Sequence, residues 1–213
     1  MGVRNYGPAT TVAGGIALAA TWDSELVKRA GGVFGDDARA RGVHILLGPG
    51  VNIYRAPMAG RDFEYFGEDP FLAARTAVAY VEGLQSMGVC ATIKHFMGNN
   101  QEYDRHNVDS LIDERTMREI YLPTFEAAVK QGHVCAIMDS YNLTNGQHMS
   151  QNGYINNDVA KKDWGFDGII MSDFPFGYGL SYTTFNYSHL SITPQSGNLS
   201  GPITVLFDVA NRN

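Results

Sequence analysis

The chain has 213 residues, 44% hydrophobic and 18% charged, with a formal net charge of −6. That length suits one large domain or a domain and a half, and the composition is that of a globular chain rather than a disordered one. No cluster of Lys and Arg offers a nucleic-acid footprint, no apolar run approaches the roughly 18 residues of a membrane span, and "MGVRNYGPATTVAGG" lacks the continuous apolar region of a signal peptide.

Taken as it stands, the sequence is expected in the cytoplasm. The two cysteines, Cys90 and Cys135, both open apolar runs and are expected to be reduced, buried thiols; a disulfide or a metal site is the alternative.

In chain order the first periodic segment is "TWDSELVKRAGGVFGDDARARG", a helix weakened by Gly31-Gly32. A Val/Ile-rich run over Val43–Leu47 follows, without polar alternation, as a strand covered on both faces should be. Next comes "EDPFLAARTAVAYVEGLQSMG", where Asp69 is a natural N-cap, Pro70 fits the first helical position and Gly88 can end the helix. Strands are predicted over Val89–His95, Val134–Met138 and Gly168–Met171. A helix from Asp113 to Gly132 should be bent or divided by Pro123, and a shorter one should cover Asn157–Lys162. With about 45 residues from the first strand to the second and from the second to the third, and helices between, the pattern is a βαβ series of parallel strands. Closed, that series is a (β/α)8 barrel; open, a doubly wound sheet. Four strands are half a barrel's complement.

From Pro175 the texture changes. "YTTFNYSHLSITPQSGNLSGPITVLFDVANRN" alternates apolar and polar residues around a turn-like centre and predicts two or three antiparallel strands. The domains are therefore expected at 1–174 and 175–213. Asn142, Asn186 and Asn198 open N-x-S/T triplets, which matter only for a secreted chain.

Reactive groups of parallel α/β proteins gather where strands end. The first strand is followed by Arg55, Arg61 and Glu64; the second ends in Lys94-His95; the third ends in Asp139, with Tyr141 and Asn142 behind it; the fourth ends in Ser172-Asp173. Each has an ordinary structural reading: a strand-end Asp as a helix cap, Lys94-His95 as a structural pair, Arg61 as a partner of Glu64 or Glu68. His106, His133, His148 and His189 have no metal-ligand spacing. Lys94 also fits a Schiff-base lysine of an unrelated aldolase.

The conjunction resembles glycoside hydrolase family 3, of the β-glucosidase type. It is carried by "LLGPGVNIYRAPMAGRDFEYFGEDP", "IKHFMGNNQE", "DERTMREIYLPTFEAAV", "MDSYNLTNG", "WGFDGIIMSD" and "PFGYGLSYTTF", in the family's order. The resemblance implies a partial (β/α)8 TIM-like barrel followed by a short all-β segment from a truncated fibronectin-III-like domain. It implies Asp173 as the catalytic nucleophile of a retaining hydrolase acting on a small β-glucoside or oligosaccharide, with no cofactor and no metal. Arg61, Lys94, His95, Arg105 and Tyr141 match the family's sugar-holding residues, with Met138 and Phe174 as flanking walls; the family's usual Trp is Phe174 here. Nearby Lys94, Arg61 or Arg105 would favour the ionised form of Asp173. The loop "MGNNQE" is the glucosidase-like form rather than the Pro-Gly-His-Gly loop of members acting on N-acetylglucosaminides.

In the family a second α/β domain, which carries the acid/base glutamate, stands between the nucleophile strand and "PFGYGLSYT". Here "MSDF" runs straight into it. A retaining enzyme needs two carboxyl groups about 5–5.5 Å apart, and the only acidic residue after Asp173 is Asp208. General acid assistance contributes roughly 10²–10⁴-fold, so hydrolysis is expected to be impaired; the alternative is an inactive sugar-binding remnant. Half a barrel leaves uncovered strand edges, through which the chain is expected to self-associate.

Overall fold

The computed structural model describes residues 2–3, 7–173, 184–193 and 204–212. The chain divides into two compact units, Met1–Asp173 and Phe174–Asn213.

The first unit alternates helices and strands. Helix α1 (Gly15–Ala19) leads into α2 (Ser24–Ala40), whose N-cap Asp23 accepts a hydrogen bond from the Leu26 amide. Strand β1 (Ile45–Leu46) precedes α3 (Pro70–Gln85) and β2 (Cys90–Phe96). Asp69 caps α3 through the Leu72 amide, Pro70 occupies its first turn, and Gly88 takes a φ of 77° just past its end. A two-residue strand, β3 (Asp109–Ser110), is followed by α4 (Glu114–Thr116) and a π-helical turn (Met117–Tyr121). Helix α5 (Pro123–Lys130) then begins at the proline. Pro123 thus divides the predicted helix, because its ring excludes an uninterrupted α-helical hydrogen-bond ladder.

Strand β4 (Ala136–Asp139), the hairpin β5 (Leu143–Thr144) and β6 (Gln147–His148), a helix of π type (Tyr154–Asp163) and β7 (Ile169–Ser172) complete the unit.

Helix α2 is continuous through Gly31-Gly32, which the sequence reading took as a weakness. The reason is packing against α3. A Cβ on Gly31 would run into the Tyr80 carbonyl oxygen, and one on Gly83 into the Lys28 carbonyl oxygen. The glycines let two helix backbones touch. Helix α3 in turn packs on α5 and is buried around most of its circumference.

The main sheet has the order β1-β2-β4-β7, all parallel, with Ile45 beside Cys90, Thr92 beside Ala136, and Ala136 beside Ile169. Each strand begins one or two residues later than predicted, because pairing starts only where the neighbour is in reach. Beside it, β3, β5 and β6 form a small sheet. Asn145 and Gly146, both at positive φ, make the two-residue turn between β5 and β6. Asn-Gly is the signal that would have revealed this hairpin.

The cysteines correct an expectation. Cys90 and Cys135 are joined in a disulfide rather than held as two thiols, with their Cα atoms 5.4 Å apart. They stand at the entrances of β2 and β4, which are neighbours in the sheet, and adjacent strands lie about 4.8 Å apart. Sequence spacing carries no trace of that adjacency.

In the second unit β8 (Thr184–Thr193) pairs antiparallel with β9 (Thr204–Arg212), with an irregularity between Ser188 and Ser191. His189 Nδ1 lies 2.8 Å from Asp208 Oδ2 there. The Gly/Tyr-rich junction from Phe174 to Thr183 and the turn-like segment 194–203 lie outside the described residues.

Candidate active site

The C-terminal ends of β2, β4 and β7 and the loop before α3 converge on one place. Strand β7 delivers Asp173, its side chain about four-fifths buried. Strand β2 delivers Lys94 and His95, and the peptides Lys94–His95 and Phe96–Met97 are cis. His95 Nε2 stands 3.9 Å from Asp173 Oδ2. The loop before α3 contributes Arg61, and the loop after β2 contributes Arg105, whose guanidinium carbon lies 4.4 Å from the centre of the Tyr141 ring. Tyr141 follows β4 and also meets the His106 ring edge-on at 4.5 Å. Met138 is buried on β4, in register with Lys94 on one side and Met171 on the other.

Arg61, Lys94, His95, Arg105, Tyr141 and Asp173 are therefore brought together. Phe174 lies outside the described residues. Arg55 is exposed on its loop. Two other strand-end residues turn away. Asp139 is buried and accepts from Asn156 Nδ2 at 3.2 Å, and the fully buried Asn142 donates to the Met97 and Leu143 carbonyls. Asn142 is consequently inaccessible as a glycan acceptor in the folded chain.

The cations arrive already paired. Arg61 Nε is 2.6 Å from Glu64 Oε1, Lys94 Nζ is 3.7 Å from Glu64 Oε2, and Arg105 Nη1 is 2.7 Å from Glu102 Oε2. A second contact, 3.8 Å, joins Arg61 to Glu102. Glu64 and Glu102 thus organise the basic cluster, a task no motif spacing reveals. The pairing has an electrostatic consequence. Burial raises the Asp173 pKa above its usual value; Arg61, Lys94 and Arg105 pull it down, Glu102 pushes it up, and the net shift is upward. The three cations favour the ionised carboxylate, as expected, but burial outweighs them.

His95 is held neutral. Burial first, then Arg61, Lys94 and Arg105, depress its pKa to about 2. Burial, then the charge of Asp173 and a hydrogen bond to it, raise the Tyr141 phenol. Behind His95 lies a polar layer absent from the sequence reading. Asn52 accepts from the His95 amide and donates to its carbonyl, both at 2.8 Å. The hydroxyl of Tyr65 lies 3.4 Å from His95 Nδ1, and Asn99 Nδ2 donates to Tyr65 at 3.2 Å and to Glu102 at 3.0 Å.

A cavity of about 620 Å³ adjoins the cluster, with Arg61, Glu64, Lys94 and Glu102 at its polar end and Val43, Ile45 among its apolar walls. Among the described residues no group of three or more His, Cys, Asp or Glu side chains is placed to hold a metal ion. The arrangement is a largely buried carboxylate ringed by cations, a neutral imidazole and a phenol. It suits a neutral, hydroxyl-rich ligand, whose donors and acceptors such groups can match.

Residues 1–184 match the glycosyl hydrolase family 3 N terminal domain. A beta-glucosidase of Rhizobium radiobacter is 52% identical over 171 residues, which are 80% of this chain and 21% of that protein. An exo-alpha-(1->6)-L-arabinopyranosidase of Bifidobacterium longum is 48% identical over 166 residues, 78% of this chain and 22% of that protein. The solved structure of beta-glucosidase 3B from Thermotoga neapolitana in complex with alpha-D-glucose superposes with a TM-score of 0.78 at 44% identity. It covers 81% of this chain and 24% of the solved one. The chain spans roughly a fifth to a quarter of these relatives' length.

Proposed function

Because the chain belongs to glycosyl hydrolase family 3, through a TIM-barrel-like α/β N-terminal domain, we propose that it carries the nucleophile half of a retaining β-glucosidase site. Asp173 attacks the anomeric carbon of a terminal β-D-glucosyl residue. The bond from that carbon to the leaving-group oxygen breaks, and a glycosyl ester forms on the carboxylate; water later hydrolyses it. Arg61, Lys94, His95, Arg105 and Tyr141 hold the sugar hydroxyls, Met138 and Phe174 wall the pocket, and no cofactor enters. The observation that carries this reading is the convergence of Arg61, Lys94, His95, Arg105 and Tyr141 on Asp173 from separate loops and strands.

Turnover of ordinary glucosides is impaired. A departing alkoxide needs a proton, and the described carboxyl groups nearest the site, Glu64 and Glu102, have their oxygens engaged by Arg61, Lys94 and Arg105 rather than turned to a leaving group. That pairing also favours the second reading, a sugar-binding remnant without turnover.

Incubation with 2-fluoro-glucosyl fluoride, whose leaving group needs no proton, separates the two. A mass increase of one glycosyl unit, absent in Asp173→Asn, supports the working half-site. No label at high dose, together with calorimetric glucose binding, supports the remnant. Aryl glucoside and aryl alpha-L-arabinopyranoside, tested in parallel, define the glycon, since an exo-alpha-(1->6)-L-arabinopyranosidase is 48% identical.

The same reading extends to the rest of the chain. Unit 2, with its antiparallel β8–β9 pair, belongs to a fibronectin-III-like fold. The open ends of the four-stranded sheet, β1 and β7, mediate self-association. The paired cysteines suit an oxidising compartment better than the cytoplasm.

A further inference from the structure

Four polar side chains stand in line behind the basic cluster: Glu102, Asn99, Tyr65 and His95. The direction of every proton along that line follows from its first member. Glu102 Oε2 lies 2.7 Å from Arg105 Nη1, and a carboxylate in a salt bridge only accepts. At 3.0 Å from it, Asn99 must present its amide N–H. The second hydrogen on the same nitrogen points to the Tyr65 oxygen at 3.2 Å. That oxygen is an acceptor from Asn99, so the phenol's own proton goes elsewhere. Tyr65 is 1% exposed, and the acceptor facing it is His95 Nδ1 at 3.4 Å. A neutral imidazole has one N–H and one lone pair. With the lone pair on Nδ1 engaged, the hydrogen sits on Nε2, the nitrogen 3.9 Å from Asp173.

We propose that Tyr65 is a positioning residue: through Nδ1 it sets His95 as the Nε2–H tautomer, so that a donor rather than a lone pair faces Asp173 and the space before it. The ring has little other freedom. Asn52 grips the backbone of His95 on both sides, and the Tyr65 ring stands nearly perpendicular to the imidazole, 6.4 Å between centres. The opposite tautomer would aim a lone pair at a carboxylate and leave the Tyr65 proton without an acceptor among the described residues, in a buried site where an unsatisfied group is costly. The proposal deepens the glycosidase reading and rests on it for the value of that donor. The tautomer itself exists in the chain without any sugar.

Long-range proton–nitrogen correlation on the ¹⁵N-histidine-labelled full chain reads the state of each ring nitrogen, with His95 assigned by its loss in His95→Asn. The wild-type chain should show a pyridine-like Nδ1 and a pyrrole-like Nε2. Tyr65→Phe removes the donor, and both nitrogens should move toward averaged values. Asn99→Asp keeps Tyr65 but offers it a carboxylate, and the same loosening should appear. That second variant decides the matter if Tyr65→Phe loses the amide dispersion of a folded chain. A pyrrole-like Nδ1 in the wild type overturns the proposal, as does a His95 pattern unchanged in the folded variants. Failure of the fluoroglucosyl label on Asp173 would leave this result standing, so the two readings fail separately.

Discussion

Asp173 is a residue whose position the sequence discloses and whose proton affinity it does not. A carboxylate at the end of a barrel strand reads as reactive from its place alone. Its raised pKa comes from burial, with Glu102 adding to it. Glu102→Gln should therefore move the acid limb of fluoroglucosyl labelling downward, since it removes the negative charge that disfavours ionised Asp173. Labelling rate against pH measures this, and a limb that moves upward would contradict it. A second carboxyl group, Asp139, tests burial without catalysis. Its pKa is raised to about 7 by burial, against the opposing hydrogen bond from Asn156, and its Oδ1 has no partner among the described residues. A carboxyl group with a raised folded pKa contributes its stability fully below about pH 4, and that contribution is lost as the pH rises through about 7. Asp139→Asn should flatten that decline. With about 2–4 °C of Tm per kcal/mol for a chain of this size, thermal melts at pH 4.5 and pH 8 will resolve it; parallel declines in both proteins would reject it.

At the scale of elements, caps and breakers were legible because they act over three or four residues. Asp69, Pro70 and Gly88 bound α3 as read, and Pro123 opens α5. The glycines of α2 were misjudged. Intrinsic propensity makes them a weakness, whereas Gly31 and Gly83 admit the neighbouring backbone. Gly83→Ala should destabilise by about 1–3 kcal/mol, the range for overpacking, despite alanine's better helix propensity. Chemical denaturation measures this directly, and a stabilised variant would show the two helices able to part without cost. The Cys90–Cys135 disulfide belongs to this scale too, since it depends on β2 and β4 being neighbours.

For the whole molecule the open question of chemistry becomes one of edges. Strands β1 and β7 end the parallel sheet, and Ile45, Leu47 and Ile169 there are 39%, 49% and 52% exposed. Such edges pair with other chains unless covered. Light scattering should find a mass that grows with concentration, and Leu47→Lys with Ile169→Lys should lower it; a monomer at every concentration would oppose the idea. The linear sequence by itself determined the alternation of strand and helix, the helix boundaries, the family and the identity of most residues around Asp173, because these reside in local propensity and in short motifs. Only the tertiary structure decided that Glu64 and Glu102 hold the cations, that Tyr65 and Asn99 stand behind His95, and that burial outweighs attraction at Asp173. Those outcomes depend on distances between segments far apart in the chain and on the water removed between them.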